Sequence, residues 1–177
     1  MPPRIDTPRL ILRPFAADDI AEAYEVLEGN PDVWKYDPGY QRSLAQRSDI
    51  IMKYSTSNLR EGEGTLAIIH KGSVKLIGYV GLQLYILPQE PLSTPEVELY
   101  YKLGRNWWGQ GYAIEACQAM IEFAFKEMRL ARIVTITSKE NVRSINLMRK
   151  IGMKLEDAPP KWPGELVGIL INPIIKG

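Results

Sequence analysis

The chain has 177 residues, of which 45% are apolar and 24% are charged, and its formal net charge is +1. This composition is typical of a globular protein with one substantial core, so it excludes disordered, collagen-like and coiled-coil chains. The near-neutral charge also gives no sign of a surface for nucleic acid.

The cysteine and histidine content excludes two further kinds of chemistry. With one Cys the chain forms no internal disulfide, and with one His it has no His-rich metal site, so we expect no metal. The first residues carry no signal-peptide pattern, and no segment approaches the roughly 20 apolar residues of a membrane-spanning helix. We therefore expect one domain over residues 1–177, in a cytoplasmic protein that binds neither membrane nor nucleic acid.

A strand and two helices are predicted in the N-terminal part. The strand covers residues 9–15, and the helices cover residues 19–28 and 43–54. Each helix opens with the capping-box spacing, in which Glu or Gln follows a capping side chain by three positions: Asp19 with Glu22, and Ser43 with Gln46.

The middle of the chain is rich in strand patterns. The runs 65–70 and 75–84 flank a short glycine-containing turn and predict a hairpin. Residues 97–103 alternate between apolar and polar side chains and predict another strand. Between these strands a loop is predicted from three prolines: Pro88, Pro91 and Pro95.

The C-terminal part contains the longest predicted helix, over residues 113–128, where apolar side chains recur on one face. It is followed by a strand at 131–137, a short helix at 142–151 and a last strand at 166–171. This order of elements predicts an α+β fold, with a central mixed, largely antiparallel sheet and helices on both faces.

A glycine-bearing turn at residues 104–111 joins the 97–103 strand to the long helix. Glycine lets the backbone approach a ligand closely, and the first turn of a helix presents unpaired N–H groups at the positive end of its dipole. The segment is therefore either a phosphate site or a plain tight turn. It lacks the Gly-Lys-Ser/Thr of a P-loop and the glycine frame of the Rossmann fingerprint.

Several motifs together resemble one family. Residues 98–103 (ELYYKL), 108–116 (WGQGYAIEA), 141–144 (NVRS) and 150–153 (KIGM) resemble the GNAT superfamily of N-acetyltransferases, in the branch that acetylates the N-termini of ribosomal proteins. The resemblance covers residues 7–153. It implies a GNAT-like acyl-CoA N-acyltransferase fold. It also implies direct transfer of an acetyl group from acetyl-CoA to a primary amine, with no covalent acyl-enzyme and no metal.

The resemblance further implies which residues bind acetyl-CoA. The pyrophosphate would lie on the backbone N–H groups of the turn: Gly109, Gln110, Gly111, Tyr112 and Ala113. The pantetheine arm would pair with three strand residues: Tyr101, Lys102 and Leu103. Asn141 would contact the arm, although its position also suits the N-cap of the next helix. The family usually has Gln or Arg where this chain has Asn106, so one side-chain contact of the family is not expected here.

Two residues are candidates for proton transfer. Glu98 would accept the proton of the amine, directly or through water, unless it is a strand residue that faces solvent. Ser144 would give a proton or hydrogen bond to the departing thiolate, unless it has no role. Met148 stands where many relatives have a Tyr as general acid. Cys117 is expected in the core rather than as a nucleophile, and Glu115 is expected to complement the helix dipole.

Three functional interpretations remain open from the residues. The first is an N-acetyltransferase whose acceptor is a protein N-terminus, an amino acid, a polyamine or an antibiotic. The second is a non-catalytic acyl-CoA-binding sensor on the same fold, and the third is a nucleotide-binding protein that uses the glycine turn. Trp34, Tyr36 and Asp37 either line the acceptor pocket or pack a loop. The resemblance also allows a homodimer, since many family members pair.

Overall fold

The computed structural model describes residues 3–57, 64–89, 92–160 and 162–174. The strands in these residues are β1 (Ile5–Asp6), β2 (Leu10–Pro14), β3 (Gly64–His70), β4 (Lys75–Gln89), β5 (Leu92–Leu103), β6 (Arg132–Ser138), β7 (Lys154–Asp157) and β8 (Glu165–Ile171). They form one sheet in the order β1-β2-β3-β4-β5-β6-β8-β7. Among these described strands, the neighbours are antiparallel except for β5 and β6, which are parallel.

The helices lie on both faces of this sheet, which confirms the predicted α+β fold. They are α1 (Ile20–Glu28), α2 (Pro31–Trp34), α3 (Leu44–Thr56), α4 (Tyr112–Lys126) and α5 (Val142–Lys150). No helix in the described part of the chain combines the length and the apolar character needed to cross a membrane. The sequence patterns missed three short elements, β1, α2 and β7.

The proline-rich segment is a hairpin, and the predicted loop was wrong. β4 and β5 pair out to Gln89 with Leu92, while Pro91 lies outside the described residues. Pro88 and Pro95 are tolerated because this outer part of the hairpin extends beyond the pairing of β4 with β3. In such a two-stranded ribbon half of the N–H groups face outward, so a proline at an outward position removes no hydrogen bond of the ladder.

One of the two predicted capping boxes forms. Ser43 accepts a hydrogen bond from the N–H of Gln46 at 3.2 Å, and its own N–H donates to the Gln46 side chain at 2.9 Å. The box predicted at Asp19 was wrong. The Asp19 carboxylate instead accepts from the N–H of Ala16 at 2.7 Å and pairs with Arg13 at 2.7 Å. The Asp19 carboxylate therefore binds Arg13 and the Ala16 N–H, although the sequence spacing had assigned it to the cap of α1.

The sheet separates two hydrophobic cores, and β5 contributes to both. Leu99 and Leu103 pack into the core beneath α4, whereas Tyr100 packs against the core beneath α1 and α3. Since side chains alternate along a strand, Glu98 and Lys102 lie on the same face as Tyr100. β5 therefore presents polar side chains toward the N-terminal helices and apolar ones toward α4.

The contact between β5 and β6 is short. Glu98 and Val134 are the register partners of this parallel pair, and the Thr135 hydroxyl donates to the Leu99 carbonyl at 2.9 Å. Beyond this point β5 continues to Leu103 while β6 follows a different direction, so the sheet opens between two neighbouring strands.

A buried ion pair joins α1 to α3. Arg47 pairs with Glu28, and both side chains are at most 1% exposed. The Glu28 carboxylate also accepts from the backbone N–H of Arg42 at 2.9 Å, and its backbone carbonyl accepts from the side chains of Trp34 and Gln41. Charges this deep are tolerated because the partner and these hydrogen bonds replace the lost water.

Removing one partner of this pair would leave an isolated buried charge. We therefore expect Arg47→Ala to lower the free energy of unfolding by about 3–5 kcal/mol, measured by urea denaturation. The double variant Glu28→Leu/Arg47→Met removes both charges at similar volume and should recover most of the loss. A loss below about 1 kcal/mol in the single variant, as for an exposed pair, would contradict this account.

Candidate active site

The opening between β5 and β6 is a cleft of about 900 Å³. Ten of the predicted site residues line it: Glu98, Tyr101, Lys102, Leu103, Gly109, Gly111, Tyr112, Ala113, Asn141 and Ser144. Gln110 lies outside the cleft wall, with its side chain donating to the Asn106 carbonyl at 3.0 Å. Residues that are distant in sequence thus meet where the sheet opens.

The glycine turn forms one end of the cleft. Gly109 and Gly111 have φ values of +76° and +83°, a left-handed conformation that glycine adopts without strain. A Cβ added to Gly109 would meet nothing within 4 Å, so the space above this residue is open. α4 begins directly after the turn, and its first N–H groups have no acceptor within the helix. The turn can therefore receive an anion at the positive end of the helix dipole.

Glu115 fixes this turn from the other side. Its carboxylate accepts from the Thr7 hydroxyl at 2.6 Å, from the Arg9 N–H at 2.8 Å and from the Arg9 Nε at 2.6 Å. Arg9 also donates to the Gln110 carbonyl at 2.8 Å and lies over the Tyr112 ring. Although burial opposes it, these hydrogen bonds lower the pKa of Glu115. Glu115 therefore has a structural role, as expected, but its partners come from the segment between β1 and β2.

The edge of β5 that faces the cleft carries backbone groups. The Leu99 carbonyl accepts from Thr135 and the Leu103 carbonyl accepts from the Trp108 indole at 2.8 Å, so both carbonyls point away from β4. Backbone direction alternates along a strand, which turns the N–H and C=O of Tyr101 toward the same edge. Lys102, by the same alternation, turns its backbone toward β4. An extended ligand could therefore pair with the N–H and C=O of Tyr101 and with the N–H of Leu103, whose carbonyl already accepts from Trp108.

The Tyr101 side chain reaches across the cleft to α5. Its hydroxyl lies 3.0 Å from the Ser144 hydroxyl, and the Ser144 Oγ lies 3.8 Å from the sulfur of Met148. Burial raises the pKa of the Tyr101 phenol, so it is protonated and can donate to Ser144. Asn141 accepts from the Ser144 N–H at 3.3 Å and caps α5. Sequence reasoning assigned only the Tyr101 backbone to the site and missed its phenol.

Glu98 is buried in the opposite wall, at 8% exposure, and does not face solvent. The Gln83 side chain donates to its Oε2 at 2.5 Å, and the Ile136 N–H donates to its Oε1 at 3.3 Å. Burial raises the pKa of the Glu98 carboxyl in spite of these two donors. A carboxyl with a raised pKa in a cleft is a stronger proton acceptor than an exposed carboxyl.

The segment after α2 closes the cleft on the side of the N-terminal helices. Lys102 donates to the backbone carbonyl of Asp37 at 2.6 Å and to its carboxylate at 2.8 Å. Tyr36 also lines the cleft, and its hydroxyl donates to the Glu140 carbonyl at 3.0 Å. Trp34 instead packs the loop, donating to the Glu28 carbonyl at 3.2 Å. The sequence left open whether these residues line a pocket or pack a loop. Tyr36 and Asp37 line the cleft, and Trp34 packs the loop.

Two negative observations complete the site. Cys117 is fully buried in the core, where burial raises the pKa of its thiol, so it is not placed to act as a nucleophile. Within the described ranges, no three His, Cys, Asp or Glu side chains come together in a way that could hold a metal ion.

A model of the acetyltransferase (GNAT) domain matches residues 9–154. The chain belongs to the GNAT acetyltransferase family. The N-acetyltransferase YnaD of Bacillus subtilis (strain 168) is 30% identical over 152 residues, which make up 86% of this chain and 83% of YnaD. A GNAT-family acetyltransferase structure from Bacillus anthracis is 25% identical, with a TM-score of 0.78 over 96% of this chain and 99% of that one.

The GNAT fold also occurs in the ribosomal-protein-S5-alanine acetyltransferase of Vibrio fischeri. That structure is 16% identical, with a TM-score of 0.76 over 99% of this chain and 100% of its own. The domain match over residues 9–154 and the 30% identity with YnaD confirm the predicted membership of the GNAT superfamily, and the chain is an acyl-CoA-dependent acetyltransferase.

A methyl group at Gly109 would occupy the open space above the turn, where the GNAT cosubstrate is expected. Gly164 offers a matched control, since its φ is +87° and a Cβ there also meets nothing within 4 Å. We expect Gly109→Ala and Gly164→Ala to cost similar stability, about 1–2 kcal/mol each, because both place alanine in a left-handed conformation. By calorimetry, only Gly109→Ala should weaken acetyl-CoA binding, by about tenfold or more. Equal affinities in the two variants would contradict an anion site at this turn.

Proposed function

We propose that the chain, acting as one domain over residues 1–177, transfers the acetyl group of acetyl-CoA directly to a primary amine. The acceptor is a protein N-terminus or a small-molecule amine, and no covalent acyl-enzyme forms. The observation that carries the proposal is the placement of Glu98 and the Tyr101–Ser144 pair on walls of one cleft, beside the glycine turn. This arrangement offers a proton acceptor and a proton donor at one site.

The cleft fits acetyl-CoA at two places. The N–H groups at the start of α4, with the open space above Gly109, suit a pyrophosphate. The cleft-facing edge of β5 at Tyr101 and Leu103 suits the amide groups of an extended pantetheine arm. Acetyl-CoA supplies an acetyl group that is already activated as a thioester.

Glu98 would take the proton that the acceptor amine must lose. A lysine amine with a pKa of about 10.4 needs roughly 4–5 kcal/mol for deprotonation at pH 7, whereas an α-amine near 7.7–8 needs about 1–1.5 kcal/mol. The raised pKa of Glu98 makes it a stronger base than an exposed Glu. The donors on Gln83 and Ile136 hold the carboxylate in place.

Ser144 would return a proton at the other end of the reaction. The C–S bond breaks as the C–N bond forms, and the departing thiolate takes a proton from the Ser144 hydroxyl. The Tyr101 phenol, 3.0 Å away, is placed to restore it. The acceptor ammonium loses two protons in all, one before attack and one after the C–N bond forms, and both pass through Glu98 to solvent. The Ser144–Tyr101 pair gives one proton to the thiolate and regains one from solvent, so CoA leaves as a thiol and one net proton is released. His70 is hydrogen-bonded to Ser73 and Tyr112 rather than to Ser144, which supports a direct transfer without a serine nucleophile.

The proposal is tested by incubating the protein with acetyl-CoA and a panel of amines and measuring free thiol. The panel contains free amino acids, polyamines, aminoglycosides and peptides with free N-termini. We expect acceptor-dependent thiol release and a stoichiometric N-acetylated product in mass spectrometry. Tight binding of acetyl-CoA without thiol release from any acceptor would contradict the proposal and favour a non-catalytic binding protein.

Glu98→Gln should remove the base without changing the shape of the site. We expect kcat to fall by about 10²–10⁴-fold, as is typical for a general base. In the wild type, kcat at saturating acceptor should fall as the pH falls through the raised pKa of Glu98, above the ordinary value of about 4.3. The variant should lose this acidic limb. Glu165→Gln, which also changes a carboxylate that lines the cleft, should keep the limb, and a limb retained in Glu98→Gln would exclude Glu98 as the base.

Ser144→Ala should slow the step that protonates the thiolate. We expect kcat to fall by about 10²-fold while the Kd for acetyl-CoA changes little, because the binding groups on the turn and on β5 remain. Tyr101→Phe removes only the second hydroxyl and should have a smaller effect. Steady-state kinetics with calorimetry separates the two quantities. An unchanged kcat in Ser144→Ala would leave Ser144 with a structural role only.

A further inference from the structure

The cleft has a second half, on the side of α1 and α3, which we call the acceptor half: Asp37, Arg42, Arg47, Tyr54, Tyr79, Tyr100 and Lys102. It is lined by three cations, one carboxylate and three phenols. Among the described residues, two of these cations have a carboxylate partner and the third has none. This difference affects what the acceptor half can bind.

Two of the cations are already paired. Arg47 pairs with the buried Glu28, and the Lys102 ammonium lies 2.8 Å from Asp37. The Lys102 side chain is 9% exposed, and its burial lowers the pKa of the ammonium although Asp37 opposes this shift. Glu28 and Asp37 therefore each have one of these two cations as an ion-pair partner.

Arg42 is the cation that remains. Its backbone N–H donates to the Glu28 carboxylate at 2.9 Å, which anchors the residue at the cleft wall. In the part of the chain that the structure describes, its half-buried guanidinium has neither a hydrogen bond nor an ion pair. Burial acts to raise the pKa of Asp37, but Lys102 and, more weakly, Arg42 lower it. The main partner of the Asp37 carboxylate is therefore Lys102.

The floor of the acceptor half is aromatic. The ring centroids of Tyr54 and Tyr79 are 5.8 Å apart, and those of Tyr79 and Tyr100 are 6.0 Å apart. Tyr100 lies over Gly81, where an added Cβ would come within 2.7 Å of its hydroxyl. Burial raises the pKa of Tyr54 and of Tyr79, so both phenols are neutral. The floor therefore offers apolar ring surface and no negative charge to a bound molecule.

A guanidinium presents five donors in a planar fork that matches a carboxylate, and a partly desolvated one gains most from such a partner. We propose that Arg42 binds a carboxylate of the acceptor, so that the acceptor is an amine that carries a carboxylate, with its hydrocarbon part on the tyrosine floor. This inference rests on the proposed function and names the class of its acceptor. Two sources share this chemistry, a free amino acid and a peptide with an acidic residue beside its N-terminus.

Matched acceptors test the inference. L-amino acids are compared with their carboxamides, and peptides that begin Ser-Asp with peptides that begin Ser-Asn. The α-amine of an amino-acid amide is the less basic of its pair, so a preference for the acid cannot come from an easier deprotonation. We expect a kcat/KM about tenfold to a hundredfold higher for the carboxylate member, in either the amino-acid or the peptide series. The series that responds identifies the source.

Variants of Arg42 assign the preference to this side chain. Arg42→Ala should lower kcat/KM for carboxylate acceptors, mainly through KM, by at least about tenfold more than for their amides. Arg42→Lys should restore part of the preference. Arg149→Ala removes the same charge from an exposed position outside the cleft and should leave both acceptors unaffected. Binding of the same acids to the CoA-loaded protein, measured by calorimetry, gives a readout independent of turnover.

The possible outcomes separate the two proposals. Thiol release with equal use of acids and amides, or equal losses on both in Arg42→Ala, overturns the inference and leaves the proposed function in place. Acids that bind in an Arg42-dependent way without thiol release support the inference and contradict the proposed function. If no acid either binds or reacts, the inference is overturned.

Discussion

Parallel pairing of β5 with β6 stops close to Glu98 and Val134, and the active cleft depends on this early separation. If the two strands continued to pair, the backbone groups at Tyr101 and Leu103 would be used within the sheet. Because the strands separate, that edge faces the cleft, and α4 and α5 form its far walls. The separation is held open by side chains, since Trp108 occupies the Leu103 carbonyl and the Glu98 carboxylate accepts the Ile136 N–H.

The cleft gives two carboxyl groups opposite properties. Burial raises the pKa of Glu98 in spite of its two neutral donors, so this carboxyl suits proton transfer. In Asp37 the attraction of Lys102 overcomes the effect of burial, so its pKa is lowered and it remains ionised. The two groups line the same cleft, and the difference arises from which cations each one faces. One carboxyl is thus available for chemistry, and the other holds the segment after α2 against β5.

The glycine turn is supported from outside the cleft. Glu115, on the first turn of α4, ties the turn to Thr7 and Arg9 at the start of the chain. The position of the turn therefore depends on the segment between β1 and β2 as well as on the helix that presents the N–H groups. The position of Arg9 over the Tyr112 ring adds a further contact to the same support.

The sequence by itself determined the elements whose signals are local. Periodicity and turn residues identified the main helices and strands, and several motifs together, between residues 98 and 153, identified the superfamily. Local signals failed where a residue outside the predicted helix paired with a side chain assigned to its cap, as Arg13 on β2 pairs with Asp19. They also failed at Pro88 and Pro95, because a ribbon that projects from its sheet tolerates proline.

Only the tertiary structure decided the chemistry of the cleft. The alternating pattern of β5 does not show whether Glu98 faces solvent. Its carboxylate is covered by Gln83 and by β6, which are its neighbours only in the folded chain. The Tyr101 phenol met Ser144 through the packing of α5 on the sheet, a contact between residues 43 positions apart. Arg42 carries no motif, and that its side chain has no ion pair among the described residues emerges only when Glu28 and Asp37 are seen to pair with Arg47 and Lys102. The pKa of a group and the availability of a charge depend on neighbours in space, and these are distant along the chain.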